Sequence, residues 1–231
     1  MSEAKLQAVL FDIDGTLVDS NYLHVDAWMR AFAAVERYPD AAFVHEAIGL
    51  DSAKLLERLL GEEGETEVAD RAKELHGEYY EASAERLRRF DGVRELFAAV
   101  RDRGFKVVLA SSAPQEELDI LLKVLEADDL IDAATTSSDV ETAKPEPDVI
   151  GVALEKAGVE PDEAIMVGDT RWDIEAARRA GVDTIAVLTG GRGKTELVEA
   201  GAVAVHTDVA ELFEELDRSP IGRRSQHTTG R

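Results

Sequence analysis

The chain has 231 residues, 45% of them hydrophobic, enough for one large domain or for a core domain with a smaller insertion. It has no cysteine, which excludes disulfides, Cys-ligated zinc, iron–sulfur clusters and thiol nucleophiles. A formal charge of −22 argues against nucleic acid or anionic membrane as a partner, and no apolar run approaches the roughly 18 residues that a membrane span needs.

The first apolar run, Ala8–Ile13, predicts a buried strand. It opens from "MSEAKLQAVLFDIDG", which lacks a small-residue cleavage site, so a cytoplasmic protein is expected. The run ends in acids, Asp12 and Asp14, followed by Gly15 and Thr16. From about Ser20 to Phe90 the pattern is helical, with no convincing strand. Trp28 and Phe32, with Val25 and Met29, form one apolar stripe, and Leu55, Leu56, Leu59 and Leu60 form another. Both read as packing faces of an inserted helical segment.

Beyond it, strands and helices alternate. Strands are predicted at Phe105–Ala110, Ala164–Val167 and Thr184–Leu188, with a shorter one near Ala133–Thr136. Helices are predicted at Val93–Arg103, Gln115–Glu126, Asp148–Ala157, Asp173–Ala180 and Val209–Leu216. Gly104, Gly158 and Gly181 follow three of these helices, as expected at a left-handed C-terminal position. The alternation predicts an α/β fold, a Rossmann-like doubly wound parallel sheet. The tail "SPIGRRSQHTTGR" is expected to be disordered. The expected division is a core of 1–18 and 91–218, a helical insertion of 19–90 and a tail of 219–231.

In an open parallel sheet, ligands bind beyond the carboxyl ends of the strands. Asp12 and Asp14 follow the first strand, Ser111 and Ser112 the second, and Gly168, Asp169 and then Asp173 the fourth; Lys144 stands in "AKPEPD" before a helix. All converge on one rim. Two like charges about 4 Å apart cost roughly 4 kcal/mol at an effective dielectric near 20, so gathered carboxylates need a cation or a proton. With no His or Cys beside them the ligands are hard oxygens, which favours Mg²⁺. Mg²⁺, the Lys144 ammonium, a hydroxyl and backbone N–H groups suit a phosphorylated substrate. A carboxylate can itself be the nucleophile. Strand alternation points Asp12 and Asp14 the same way, so one can attack phosphorus while the other handles a proton.

"DIDGTLVDS", "LASSA", "KPEPD" and "GDTRWD" together resemble the four ordered motifs of the haloacid dehalogenase superfamily, over about residues 6 to 217. The resemblance implies Asp12 as nucleophile and Asp14 as general acid/base whose carbonyl also binds Mg²⁺. It implies Ser111 and the Ser112 N–H as phosphate ligands, and Lys144 as the charge that orients nucleophile and phosphate. Asp169 becomes the main acidic metal ligand, with Asp173 acting directly or through water. The insertion is similar to a C1-type helical cap, beside the phosphoglycolate phosphatase-like and β-phosphoglucomutase-like branches. An aspartate at position 14 argues against the dehalogenase and phosphonatase branches. It fits hydrolysis of a phosphomonoester, whose alkoxide leaving group needs a proton.

The expected activity is thus a phosphatase acting on a small phosphorylated metabolite, as a monomer or weak homodimer, with a phosphomutase as the alternative. His24 matches a mutase-like position and could gate the cap or touch substrate; equally it reads as a helix-surface histidine. Lys54 and Arg58 could hold a second phosphate or form a solvated helix face. The arginine expected soon after Gly49 in a mutase is missing, which favours the phosphatase. "TGGRGKT" resembles the end of a P-loop, but Leu188 stands where its first glycine belongs, so a plain strand-to-helix loop is expected. His206 and His227 are expected at the surface, and Trp172 either lines the entrance or covers the core edge.

Overall fold

The computed structural model describes residues 5–61, 66–139 and 144–225. The chain divides into two compact units, Met1–Asp19 with Arg89–Arg231, and Ser20–Arg88.

Strand β1 (Ala8–Phe11) opens the first unit, and all four residues are buried. The chain then passes into the second unit through α1 (Asn21–Ala34), α2 (Ala41–Ala47), α3 (Ser52–Leu60) and α4 (Glu67–Glu81). Their shared core includes Trp28, Phe32, Val44, Leu55, Leu56 and Ala72, with Leu59 and Leu60 packed against it. His24 belongs to this interior and is not at the surface. Its Nδ1 lies 3.1 Å from His76 Nε2, and its ring stacks on Tyr80 at 3.8 Å. His76 in turn stacks on Trp28 at 4.1 Å. The pair His24/Trp28 on α1 and the pair His76/Tyr80 on α4 are each spaced one turn apart, so both histidines fall on the faces that bring α1 and α4 together.

On its return the chain forms α5 (Val93–Asp102), β2 (Lys106–Leu109), α6 (Gln115–Leu125), β3 (Ala133–Ala134), α7 (Asp148–Ala157), β4 (Ala164–Gly168), α8 (Arg171–Arg179), β5 (Asp183–Val187), α9 (Lys194–Ala200), β6 (Ala204–His206), α10 (Val209–Glu214) and α11 (Pro220–Ser225). The sheet is parallel, in the order β3-β2-β1-β4-β5-β6. Leu10 pairs with Val108 on one side and Met166 on the other, and these three join Val149, Ile150 and Ala176 in one layer of the core. Phe11 faces the opposite layer, where its ring meets Phe97 of α5 at 4.9 Å. This burial on both faces is why β1 reads as an unbroken apolar run rather than an alternating one. The strand order reverses between β1 and β4, which opens a crevice at their carboxyl ends.

Two expectations are corrected. The tail begins with a helix, Pro220–Ser225, with Ile221 fully buried and the Arg224 guanidinium donating to the Ala164 carbonyl at 3.1 Å; residues 226–231, His227 among them, lie outside the described residues. His206 is only 8% exposed, because it ends β6 beneath the last turn of α10. Its Nδ1 is 3.6 Å from Glu215, and its Nε2 is buried with no hydrogen-bond partner among the described residues.

Burial lowers the His206 pKa from 6.5, against the opposing pull of Glu211 and Glu215. The unfolded chain therefore binds this proton first as pH falls. The contribution of neutral His206 to stability is complete above about 6.5 and declines below it. The melting temperature is expected to drop between pH 7.5 and 5.5, with a shallower drop in His206→Gln; parallel slopes would refute this. Thr184 in β5 carries a buried hydroxyl with no hydrogen-bond partner among the described residues. Thr184→Val keeps the shape and removes that group, so denaturant unfolding is expected to show a gain of about 1 kcal/mol.

Candidate active site

The crevice between β1 and β4 is where the acids gather. Asp12 directly follows β1 and stays in register with β4, its N–H donating to the Val167 carbonyl at 3.0 Å. Asp169 directly follows β4 and is fully buried. Asp173 reaches back from the first turn of α8, where it forms a capping box with Thr170. Its Oδ2 accepts from the Thr170 N–H at 3.0 Å and from the Thr170 hydroxyl at 2.6 Å. Oxygens of Asp12, Asp169 and Asp173 all lie within 4.8 Å of one another, and all three residues are buried.

Lys144 enters this cluster from the segment before α7. Its Nζ contacts Asp12 Oδ1 and lies 2.6 Å from Asp173 Oδ1. Burial alone would lower the Lys144 pKa, but the Asp12 and Asp173 carboxylates outweigh it and hold the value well above 10.5. Lys144 therefore stays charged. Burial moves the Asp12 carboxyl up from 3.8 to about 7; Lys144 opposes the rise, while Asp173 and Asp14 add to it.

One ammonium does not balance three buried carboxylates. At 4.8 Å each like-charge pair still repels by roughly 3 kcal/mol at an effective dielectric of 20. Two negative charges among hard oxygen donors fit one divalent cation of the Mg²⁺ kind. Asp173 Oδ2 is taken by the N–H and hydroxyl of Thr170, and its Oδ1 faces Lys144.

Ser111 lies just past β2, the neighbour of β1, and is buried; its Oγ accepts from the Ala113 N–H at 3.0 Å. Ser112 beside it is half-buried, as is Asp14. His24 and Lys54 belong to the other unit, His24 in the stack already described and Lys54 in the first turn of α3, where its N–H donates to Asp51 at 3.0 Å. Trp172 is 7% exposed, with the Arg171 guanidinium over its ring.

Three further residues, two of them against the acids and one against the turn between them, had no role in the sequence reading. The hydroxyl of Thr16, fully buried, lies 3.0 Å from Asp169 Oδ1 and 3.4 Å from Asp12 Oδ2, so its single proton favours Asp169. Thr189, in the turn after β5, donates its hydroxyl to the Gly15 carbonyl. At Gly190 a Cβ would stand 1.8 Å from Asp169 Oδ2, so only glycine fits. The signal was present: two adjacent glycines directly after a buried strand, on the same rim as the acids.

Residues 9–187 match the model of the haloacid dehalogenase-like hydrolases. A protein of Thermotoga maritima named a phosphorylated carbohydrates phosphatase is 31% identical over 204 residues, which cover 87% of this chain and 94% of that one. The crystal structure of a hydrolase from Pseudomonas syringae superposes with a TM-score of 0.86 at 34% identity, covering 92% of this chain and 98% of that one. A β-phosphoglucomutase structure from Clostridium difficile has a TM-score of 0.80 at 22% identity, covering 96% and 98%, a likeness of fold alone.

Proposed function

This chain belongs to the haloacid dehalogenase-like hydrolase family, and on that premise we propose that it is a Mg²⁺-dependent phosphatase. It acts in the cytoplasm on a small phosphorylated metabolite through an aspartyl-phosphate on Asp12. The observation that carries the reading is the buried set of Asp12, Asp169, Asp173 and Lys144 at the point where the strand order reverses.

Asp12, Asp169 and the backbone carbonyl of Asp14 would hold the Mg²⁺, with Asp173 beside them. When bound, the ion supplies positive charge to the phosphoryl oxygens. Lys144, fixed between Asp12 and Asp173, opposes the protonation of the nucleophile that burial favours, aims it, and offers its charge to the incoming phosphate. The Ser111 hydroxyl and the Ser112 N–H take further phosphate oxygens.

In the first step an Asp12 oxygen bonds to phosphorus and the bond from phosphorus to the ester oxygen breaks. Asp14 gives its proton to that departing oxygen, so the leaving group is a neutral alcohol. In the second step a water oxygen bonds to phosphorus, Asp14 takes the water proton, and the bond from phosphorus to Asp12 breaks. Inorganic phosphate leaves and both carboxyls return to their starting states. Asp173 works at one remove, anchoring Lys144 and the start of α8.

Hydrolysis is favoured over mutase chemistry because one cation offered by the sequence for a second phosphate, Arg58, is paired with Glu46 at 2.7 Å. The purified chain is expected to release phosphate steadily from p-nitrophenyl phosphate and from members of a sugar-phosphate panel, with EDTA stopping the release. Interconversion of sugar-phosphate isomers without phosphate release, in the presence of a sugar bisphosphate, would make it a mutase.

A further inference from the structure

The loop after β5 meets the rim by two separate contacts. Thr189 donates to the carbonyl of Gly15, and Gly190 lies against Oδ2 of Asp169. Gly15 is the softest residue of the turn that follows Asp12. Its φ is 76°, and a glycine backbone moves more readily than any other. Within the turn, the N–H groups of Thr16, Leu17 and Val18 lie 3.2, 2.8 and 3.0 Å from the Ile13 carbonyl, and the Gly15 N–H donates to the Val18 carbonyl at 2.8 Å; the Gly15 carbonyl is held from outside the turn, by Thr189.

The Gly15 carbonyl and the Thr16 nitrogen belong to one planar peptide group. Whatever holds that carbonyl also sets where the Thr16 side chain begins. Thr16 then donates to Asp169 Oδ1 at 3.0 Å. A chain of contacts thus runs from Thr189 through the Gly15–Thr16 peptide and the Thr16 hydroxyl to Asp169. Gly190 limits the same carboxylate at its other oxygen.

We propose that Thr189 is a positioning residue: its hydrogen bond to Gly15 fixes the turn from which Thr16 orients Asp169 toward the divalent cation. The inference rests on the reading of the site as a cation-dependent phosphatase. Groups in contact with a metal's ligands typically account for 10–100-fold in metal affinity or activity.

The test compares the full-length wild type with Thr189→Val, Thr189→Ala and Thr189→Ser. Mg²⁺ alone is titrated calorimetrically into each protein, and kcat and KM for p-nitrophenyl phosphate are measured across a range of Mg²⁺. Thr189→Val and Thr189→Ala are expected to bind Mg²⁺ about tenfold more weakly. Their kcat falls at limiting Mg²⁺ and recovers at saturating Mg²⁺, while KM for the ester stays near the wild-type value. Thr189→Ser, which keeps the hydroxyl, restores Mg²⁺ affinity.

Wild-type Mg²⁺ affinity in both Thr189→Val and Thr189→Ala would overturn the proposal. So would a Thr189→Ser variant as weak as Thr189→Val, which would assign the effect to side-chain volume. A wild type that takes up no Mg²⁺ overturns it as well. A wild type that binds Mg²⁺ yet leaves the ester intact would instead refute the phosphatase reading, and the Mg²⁺ titrations would still decide the role of Thr189.

Discussion

Asp12→Asn is expected to lower kcat by about four orders of magnitude or more, the scale seen when an enzyme loses its nucleophile. The amide has nearly the shape of the carboxylate but cannot form the bond to phosphorus. The fold should not suffer. Asp12 is buried in surroundings that move its carboxyl from 3.8 to about 7. A carboxyl raised in this way destabilises the folded state above its unfolded value, and does so fully once pH exceeds about 7. Removing the charge relieves that burden, and Lys144 keeps Asp173 as a partner at 2.6 Å. The melting temperature of Asp12→Asn at pH 8 without Mg²⁺ is therefore expected to equal or exceed that of the wild type. Near-normal turnover would remove Asp12 from the nucleophile's role. Lost turnover with a much lower melting temperature would make its role structural.

The second large effect is expected at Gly190→Ala. The added methyl carbon would lie 1.8 Å from Asp169 Oδ2, 2.7 Å from its Cγ and 2.9 Å from its Cβ. No rotation of the methyl removes such an overlap. Asp169 is fully buried, so either its carboxylate turns away or the loop after β5 lifts. Overpacking of this kind typically costs about 1–3 kcal/mol of stability. Either movement takes Asp169 out of the orientation that Thr16 holds, so Mg²⁺ affinity and kcat should each fall by about a hundredfold. Calorimetric Mg²⁺ titration with a melting curve checks both parts. Unchanged Mg²⁺ affinity would show that Asp169 does not face the ion.

What could be read from the chain follows from where burial leaves a pattern. Strands β1, β2, β4 and β5 are covered on both faces, so each is a short apolar run, and the rim residues could be read as whatever came next. That logic reached Asp12, Ser111 and Asp169. It could not reach β6, three residues at the sheet edge and only partly buried, and so could not place His206. It also missed α11, a six-residue helix whose anchoring combines the buried Ile221 and Gly222 with the Arg224 hydrogen bond to Ala164.

At the site, Asp173 and Lys144 were identified as residues, but their pairing depends on how the segment before α7 meets α8, which no local pattern encodes. Thr189 and Gly190 were tested against a phosphate-binding loop pattern and failed it. Their importance lies in the rim position they share with the acids. Thr16 was visible in the motif, yet its partner lies 153 positions away. His24 stood out through its match to a mutase-like position, but its interior position depends on His76 and Tyr80 of α4.

The central claim is that Asp12 carries the phosphoryl group between substrate and water. It is tested most directly in Asp14→Asn with p-nitrophenyl phosphate, whose leaving group departs without a donated proton, so that the first step proceeds while the second lacks its base. Acid-quenched protein, digested and examined by mass spectrometry, is expected to carry one phosphoryl group on Asp12, absent when the ester is left out. A phosphoryl group on another residue, or none in a protein that still releases p-nitrophenol, would contradict the account.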